Sequence, residues 1–168
     1  MKIYFDTQDQ LRKYWKVNRD VSLRNYKLNT VIDQINLRKN DTEKFILPQK
    51  EFADLIIEYF SNEKINIKKQ NQKFNLSLKI IVDANLRLDD ILDEFKCDFV
   101  WDYNTDLRTQ YIVFKEEPNL DFKYFANSYI PNLNEIVSYN SQWLDGYSGL
   151  LQLISVMLIS EKLKSDQT

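Results

Sequence analysis

The nine residues "FNLSLKIIV", 74 to 82, interrupt a sequence that is otherwise patterned mainly for helices. Every second position from Phe74 to Val82 is apolar, and most of the intervening positions are polar. An apolar repeat of two residues is typical of a half-buried strand, because successive side chains of a strand point to opposite faces. The stretch therefore predicts that the chain combines strands with helices.

Two amphipathic helices are predicted before this strand. One would begin near Asp20 and carry an apolar face with helical spacing, formed by Leu28, Val31, Ile32 and Ile35. The other would follow Pro48, and its apolar face has the same spacing, with Phe52, Leu55, Ile56, Tyr59 and Phe60. Further upstream, a short strand is expected over residues 2–5. A helix over residues 8–17 would begin at a capping box formed by Thr7 and Gln10.

The second half of the chain predicts a hairpin between two helices. Asn85 would cap a short helix with apolar residues at Leu88, Ile91, Leu92 and Phe95. Residues 97–103 and 109–115 would form two strands, joined by the loop 104–108. Residues 141–164 would form a largely buried C-terminal helix. The predicted class is α+β: a small, mainly antiparallel sheet packed against several amphipathic helices, in a single globular domain over residues 1–168.

Composition favours a folded, cytoplasmic protein. The 168 residues are 43% hydrophobic and include ten Tyr, ten Phe and three Trp, whereas disordered chains are poor in such residues. Cys97 is the only cysteine and cannot form an internal disulfide. The first eleven residues do not have the pattern of a secretory signal, and the apolar run at 150–159 is too short to cross a bilayer. We therefore expect a cytoplasmic location and no association with a membrane.

Several kinds of catalytic site are missing from the sequence. The chain has no histidine, which excludes Ser-His-Asp and Cys-His sites within it, and one cysteine cannot build a thiolate zinc cluster. Its two glycines, Gly146 and Gly149, do not have the spacing of a nucleotide-binding fingerprint or a P-loop. These absences predict a non-enzymatic protein that has no catalytic residues, no metal and no cofactor.

The strongest surface feature in the sequence is acidic. Residues 83–106 contain eight acids against Arg87 and Lys96, although the whole chain carries only a net charge of -2. The apolar residues of the short helix leave its acids on the solvated side. In the following strand Phe99, Trp101 and Tyr103 would face inward. The predicted partner-binding residues are Asp89, Asp90, Asp93, Glu94, Asp98, Asp102 and Asp106.

An acidic surface accelerates encounter with a basic partner. The predicted partner is therefore a protein, specifically a basic toxin domain. In general character the chain resembles toxin-immunity proteins, since it is mildly acidic and rich in aromatic residues. The function this implies is that of a bacterial immunity protein or antitoxin, which neutralises a cationic toxin such as a nuclease by occluding its active surface.

Two alternatives remain open in the sequence. Residues 11–27 carry six basic residues and three aromatic residues against Asp20 alone, a combination that suits a nucleic-acid-binding regulator. The acids at 89–94 would instead suit a carboxylate-based hydrolase, if two of them faced each other across a cleft. The basic segment and the acidic segment therefore predict different kinds of ligand.

Overall fold

The computed structural model describes residues 1–165 and divides the chain into two compact units. The N-terminal unit comprises residues 2–79, and the C-terminal unit begins at Ile80. Each unit contains both strands and helices, so the predicted α+β class is confirmed.

The N-terminal unit is built around a parallel pair of strands. Strand β1 (Ile3–Thr7) pairs with β2 (Leu55–Phe60), and Ile3 lies opposite Leu55. Parallel neighbours need a long crossover connection. Here the crossover contains helices α1 (Asp9–Ser22), α2 (Leu28–Leu37) and α3 (Lys39–Asp41), a π-helical segment (Thr42–Ile46) and a 3-10 helix (Leu47–Phe52).

Strand β2 occupies a segment for which the sequence predicts a helix, so that prediction is wrong. Its residues, "LIIEYF", are almost continuously apolar and rich in β-branched and aromatic side chains, and Leu55 and Ile57 are buried. A continuous apolar run satisfies helical spacing by chance, because every position in the repeat is apolar. Strands of parallel pairs are often covered on both faces and show such runs.

Helix α1 packs within the N-terminal unit through one narrow stripe of buried side chains. Leu11, Tyr14 and Val17 are buried at intervals of three residues, and the ring of Tyr14 meets Phe74 edge-on at 4.9 Å between ring centroids. The predicted capping box is wrong: the helix begins after Gln8 without a side-chain cap, because the residue expected to cap it ends β1. Helix α2 begins at Leu28 rather than near Asp20, and Val31 is its buried residue.

The C-terminal unit contains the antiparallel strands. Strand β3 (Ser77–Asp83) includes the division point between the units and buries Leu78, Ile80 and Val82, as the alternating pattern predicts. Strand β5 (Thr109–Phe114) lies between β3 and the edge strand β4 (Phe99–Tyr103). The predicted hairpin of β4 and β5 is confirmed, with Phe99 opposite Phe114.

The helices of this unit are α4 (Asp89–Leu92), α5 (Phe122–Tyr129), α6 (Leu133–Ile136) and α7 (Gly146–Ser165). The predicted apolar face of the first is buried, and α7 confirms the predicted C-terminal helix, with Leu150, Leu153 and Ile154 in the core. Helices α5 and α6 occupy a segment for which the sequence predicted no regular structure. Within residues 1–165, no helix has the length and apolar character needed to span a bilayer.

Candidate functional site

A cavity of about 680 Å³ opens at the carboxyl end of strand β1 in the N-terminal unit. Asp6 and Thr7 end the strand at its rim, and α1 supplies one wall. Further lining residues come from the end of α2 through the start of the 3-10 helix, and Glu58 comes from β2. In open sheets with parallel strands, ligands bind outside the carboxyl ends of the strands. The cavity therefore lies where such a fold commonly binds its ligand.

Five basic side chains line this cavity. Arg12, Lys13 and Lys16 come from α1, Arg38 lies between α2 and α3, and Lys39 begins α3. The α1 cations share one side of the helix because its apolar stripe faces the core. Side chains three and four residues apart then line up on the solvent side. The architecture of the helix thus concentrates positive charge on one wall.

Most of these cations are already positioned by acids. Asp9 contacts Arg12 at 2.8 Å and Lys13 at 2.6 Å, and these contacts, led by the hydrogen bond from Lys13, lower the pKa of its carboxyl. Lys39 lies 3.8 Å from Glu43. Within the part of the chain that the structure describes, Arg38 forms no ion pair, which leaves its guanidinium available to a ligand. The five cations can bind an anionic ligand, which would compete with Asp9 and Glu43 for Arg12, Lys13 and Lys39. These exposed ion pairs are weak.

A second cationic cluster surrounds a buried acid at the end of α1. Asp20 is only 1% exposed and lies 3.1 Å from Lys16, 2.9 Å from Arg19 and 3.2 Å from Arg24. These partners, with the hydrogen bond from Arg19 making the largest contribution, lower the pKa of Asp20 to about 2. Lys16 also lines the cavity, so the cluster adjoins it.

The sequence itself predicts this cluster around Asp20, although the interpretation of residues 11–27 as a nucleic-acid-binding segment did not include it. Asp20 continues the three-residue spacing of Leu11, Tyr14 and Val17, which predicts burial. Cations stand four residues before and after it, at Lys16 and Arg24, where helix geometry allows side chains to meet.

One of the three aromatic side chains of the basic segment belongs to the core. Tyr14 is buried, and its hydroxyl bonds to the backbone of Gln72 as both donor and acceptor. Only Trp15 and Tyr26 are exposed. Basic residues of this segment line the cavity or surround a buried carboxylate.

Carboxylates at the strand ends do not form a metal site in this chain. Asp6 and Glu58 are paired in the register of β1 and β2 and both line the cavity, but Asp6 is held by Lys50 at 2.9 Å. Among residues 1–165, no group of three or more potential metal-ligating side chains is present. Phosphoryl transfer commonly uses Mg²⁺, and these residues do not fit as its complete protein ligand set.

The seven acids predicted to bind a partner are all exposed, in the C-terminal unit. Four of them lie on α4 and the turn after it: Asp89, Asp90, Asp93 and Glu94. Asp98 immediately precedes β4, and Asp102 and Asp106 lie on the β4–β5 hairpin. Three of the acids have local partners. The carboxylate of Glu94 accepts a hydrogen bond from the Tyr129 hydroxyl, which raises the pKa of that tyrosine to about 12. Asp102 and Asp106 accept hydrogen bonds from nearby backbone amides.

The aromatic face of β4 is only partly covered. Phe99 and Trp101 are half-buried, and Tyr103 is exposed, so the expected inward packing holds for the first two alone. The indole of Trp101 donates a 2.8 Å hydrogen bond to the buried side chain of Gln110. A second cavity, of about 620 Å³, lies elsewhere in this unit, and Lys123 is its only basic lining residue, beside Asp121 and Asp145. Neither feature concentrates positive charge.

All residues that line the basic cavity lie within the segment that matches a known protein family. Residues 1–66, less than half of the chain, match the phosphoribulokinase / uridine kinase family. The chain is 32% identical over 85 residues to chloroplastic phosphoribulokinase of Triticum aestivum, covering 51% of this chain and 20% of that protein. It is 31% identical over 67 residues to phosphoribulokinase of Synechocystis, covering 40% and 20%.

A third relative is a uridine kinase and not a phosphoribulokinase. Uridine kinase of Borrelia garinii is 45% identical over 58 residues, covering 34% of this chain and 28% of that protein. The chain therefore spans between about a fifth and just over a quarter of the length of these three relatives. The similarity to kinases is concentrated in the N-terminal region.

These matches overturn the predicted function. The prediction of a non-enzymatic immunity protein or antitoxin is wrong, because the N-terminal region is homologous to kinases, and the two alternatives based on nucleic acid and on carboxylate hydrolysis are not supported either. The error has a physical cause. Phosphoryl transfer depends chiefly on positioning and on neutralising phosphate charge with Lys, Arg and metal ions. The absence of histidine therefore does not argue against this chemistry.

Proposed function

We propose that residues 1–66 provide the cationic, phosphate-facing part of a phosphotransferase site. The observation that carries the proposal is the cavity at the end of β1, which lies in the segment matched by the kinase family and is lined by five basic side chains. The donor class is a nucleoside triphosphate. The names phosphoribulokinase and uridine kinase specify acceptors that contain a five-carbon sugar, so we propose a pentose-containing acceptor.

The chemistry assigned to these residues is electrostatic. Charge is spread over the equatorial oxygens of the transferred phosphoryl group, and cations fixed nearby stabilise it without having to reorganise. Arg12 and Lys13 are held in place by Asp9, and Lys16 is held by Asp20. Arg38, which has no acidic partner among residues 1–165, would contact phosphate directly. Arginine suits this role because its planar group can donate two hydrogen bonds to one phosphate.

The proposal divides the site between this chain and other residues. A P-loop requires glycines at a fixed spacing, and residues 1–66 contain no glycine. The phosphate-cradling loop of a complete kinase site would therefore come from outside these 168 residues. This chain would contribute the charged wall that faces it.

A reducing location fits the proposal. Cys97 is half-buried, and burial raises the pKa of its thiol, which keeps it protonated and unreactive. Because its only cysteine cannot form a disulfide within the chain, we propose the reducing cytoplasm as the compartment.

Anion binding by the chain alone tests the proposal. Inorganic tripolyphosphate is titrated into the protein at low salt, and heat is measured by calorimetry, with the Arg38→Gln variant in parallel. We expect measurable binding in the wild type and an affinity at least about 10-fold lower in the variant, since a charge-assisted hydrogen bond contributes about 1.5–3 kcal/mol. Lys73→Gln is the matched control, because Lys73 is exposed in the same unit and lies outside the cavity.

Two results would contradict the proposal. One is the absence of tripolyphosphate binding at low salt. The other is an equal loss of affinity in Arg38→Gln and Lys73→Gln, which would reflect net charge and not the cavity.

A further inference from the structure

We propose that the cavity of the C-terminal unit binds the ring of an unphosphorylated sugar, through Trp143 and the carboxylates of Asp121 and Asp145. Its volume of about 620 Å³ falls within the range of about 300–1,000 Å³ that is usual for small-molecule sites. The inference does not depend on the proposed function, because this cavity lies outside residues 1–66 and in the other compact unit.

The cavity lies between two segments that both pack against α7. One wall is the segment 119–123, which leads into α5, and the other is the loop 141–145, which leads into α7. Gly149 of α7 permits the close approach of both. A Cβ at this position would lie 1.9 Å from the carbonyl oxygen of Leu144 and 2.3 Å from the ring of Phe122. The two walls therefore meet α7 at the same glycine.

Hydrogen bonds fix each wall. The side chain of Gln152 on α7 accepts a 2.8 Å hydrogen bond from the amide of Leu144 and donates a 3.3 Å hydrogen bond to the carbonyl of Gln142. On the other wall, Asp121 caps α5 by accepting a 3.0 Å hydrogen bond from the amide of Tyr124. The backbone of the site is thus ordered before a ligand arrives, which lowers the entropic cost of binding.

Trp143 gives the cavity an apolar surface and a free donor. The residue is half-buried, and its indole forms no hydrogen bond with any residue from 1 to 165. The indole of Trp101 in the same unit, in contrast, donates to Gln110 at 2.8 Å. A sugar ring has an apolar face of C–H groups that packs against an aromatic ring, and a hydroxyl can accept from the indole N–H.

The polar lining groups include both donors and acceptors. In the part of the chain that the structure describes, the carboxylate of Asp145 and the ammonium of Lys123 have no partner, and the cap of α5 uses only one oxygen of Asp121. The carboxamides of Asn119 and Gln142 each add a donor and an acceptor. A hydroxyl both donates and accepts, so a ligand with several hydroxyls can pair with all of these groups. An organic cation could use only the acceptors.

Charge separates this cavity from the basic cavity of the N-terminal unit. Five basic residues line the basic cavity, whereas here Lys123 stands beside two acids, Asp121 and Asp145. Two carboxylates repel a phosphate group at short range. The ligand class that fits both the hydrogen-bonding groups and the charge is therefore a neutral sugar.

Nuclear magnetic resonance of the tryptophan side chains tests the inference. The ¹⁵N-labelled protein has three indole N–H signals, from Trp15, Trp101 and Trp143, which are assigned by replacing each residue with Phe in turn. The probes are D-ribose, D-xylose, D-glucose and maltose, and the disaccharide distinguishes a site for a sugar unit of a larger molecule from one for a free monosaccharide. We expect at least one probe to shift the Trp143 signal saturably, with a millimolar dissociation constant, and to leave the other two signals in place.

Two comparisons test the chemistry of the site. D-ribose 5-phosphate and D-glucose 6-phosphate should bind at least about 5-fold more weakly than the parent sugars, because they carry negative charge. Asp145→Asn should weaken sugar binding at least about 10-fold, since it replaces a charged acceptor by a neutral amide. Glu135→Gln is the matched control, because Glu135 is an exposed acid on α6 that lies outside the cavity, and its affinity should stay within about 2-fold of wild type.

Four outcomes would overturn the inference. They are the absence of a saturable shift of the Trp143 signal with every neutral probe up to about 100 mM, equal shifts of all three indole signals, binding of a sugar phosphate as tight as that of its parent sugar, and equal loss of affinity in Asp145→Asn and Glu135→Gln. Tripolyphosphate binding is a separate result: its absence would count against the proposed function alone, since that function concerns the basic cavity.

Discussion

Replacing Asp20 with asparagine tests whether the cationic cluster at the end of α1 depends on one buried charge. The substitution keeps the shape of the side chain and removes the negative charge. In the wild type this carboxylate is 1% exposed and contacts Lys16, Arg19 and Arg24 within 3.2 Å. The variant would leave three cations around a neutral amide. We therefore expect the N-terminal unit to lose stability at neutral pH.

The magnitude follows from the lowered pKa of Asp20. A shift from 3.8 to about 2 corresponds to roughly 2.4 kcal/mol, at about 1.36 kcal/mol for each pH unit. The side chains of Arg19 and Arg24 are about half exposed, so solvent screens part of this energy. We expect the free energy of unfolding to fall by about 1–2 kcal/mol at pH 7.

The pH dependence has a defined sign. Because the folded pKa of Asp20 lies below its unfolded value, the stabilisation is complete well above pH 3.8 and is lost as the pH falls through 2. The difference in unfolding free energy between wild type and variant should therefore shrink to about half by pH 3. Urea unfolding followed by circular dichroism, at several pH values from 7 to 3, measures this difference.

An unchanged difference between pH 7 and pH 3 would refute the reasoning, because it would show that the variant loses packing and not a charge interaction. A loss below about 0.3 kcal/mol at pH 7 would refute it as well. Asp33→Asn is the matched control, since Asp33 is an exposed acid on α2 of the same unit, and its replacement should change stability by less than about 0.5 kcal/mol.

Three further predictions concern the C-terminal unit. Gly149→Ala should destabilise it by about 2–4 kcal/mol in thermal or urea unfolding, because a Cβ there would lie 2.3 Å from the Phe122 ring, and a loss under about 0.5 kcal/mol would contradict the packing. Gln110→Leu should cost about 2–3 kcal/mol, since its buried amide donates a 2.6 Å hydrogen bond to a backbone carbonyl that would be left unpaired; unchanged unfolding would disprove this role. Glu94→Gln should lower the pKa of Tyr129 from about 12 toward the usual 10, seen as tyrosine absorbance that titrates at lower pH, and an unaltered titration curve would argue against the contact.

Patterns that extend over one element carried most of the fold prediction. The alternation at 74–82, the hairpin of β4 and β5 and the apolar C-terminal helix are each specified by local periodicity, and the structure confirms them. Strand β2 was missed because "LIIEYF" is apolar at nearly every position, so its period is ambiguous. Its pairing with β1, 52 residues away in the register, decides the outcome, and this pairing leaves no local signature.

The candidate site was harder to predict than the fold. The basic residues at 12, 13 and 16 were recognised as a group, but Arg38 and Lys39 join them only after the chain has turned between two helices. The acids at 89–106 were predicted as the binding site because they are close together in sequence. Those acids form an exposed, solvated surface. The cavity, in contrast, is formed by residues that are distant in sequence and that the crossover connection brings together.

The central claim is that the cavity at the end of β1 binds phosphate, and nuclear magnetic resonance can locate that binding directly. Inorganic tripolyphosphate is added to the ¹⁵N-labelled protein, and changes in amide chemical shifts are followed along the chain. The account predicts saturable changes concentrated at residues 6–16 and 35–47, which contribute to the walls of the cavity. Saturable changes confined to the C-terminal unit, or no saturable change at low salt, would contradict it.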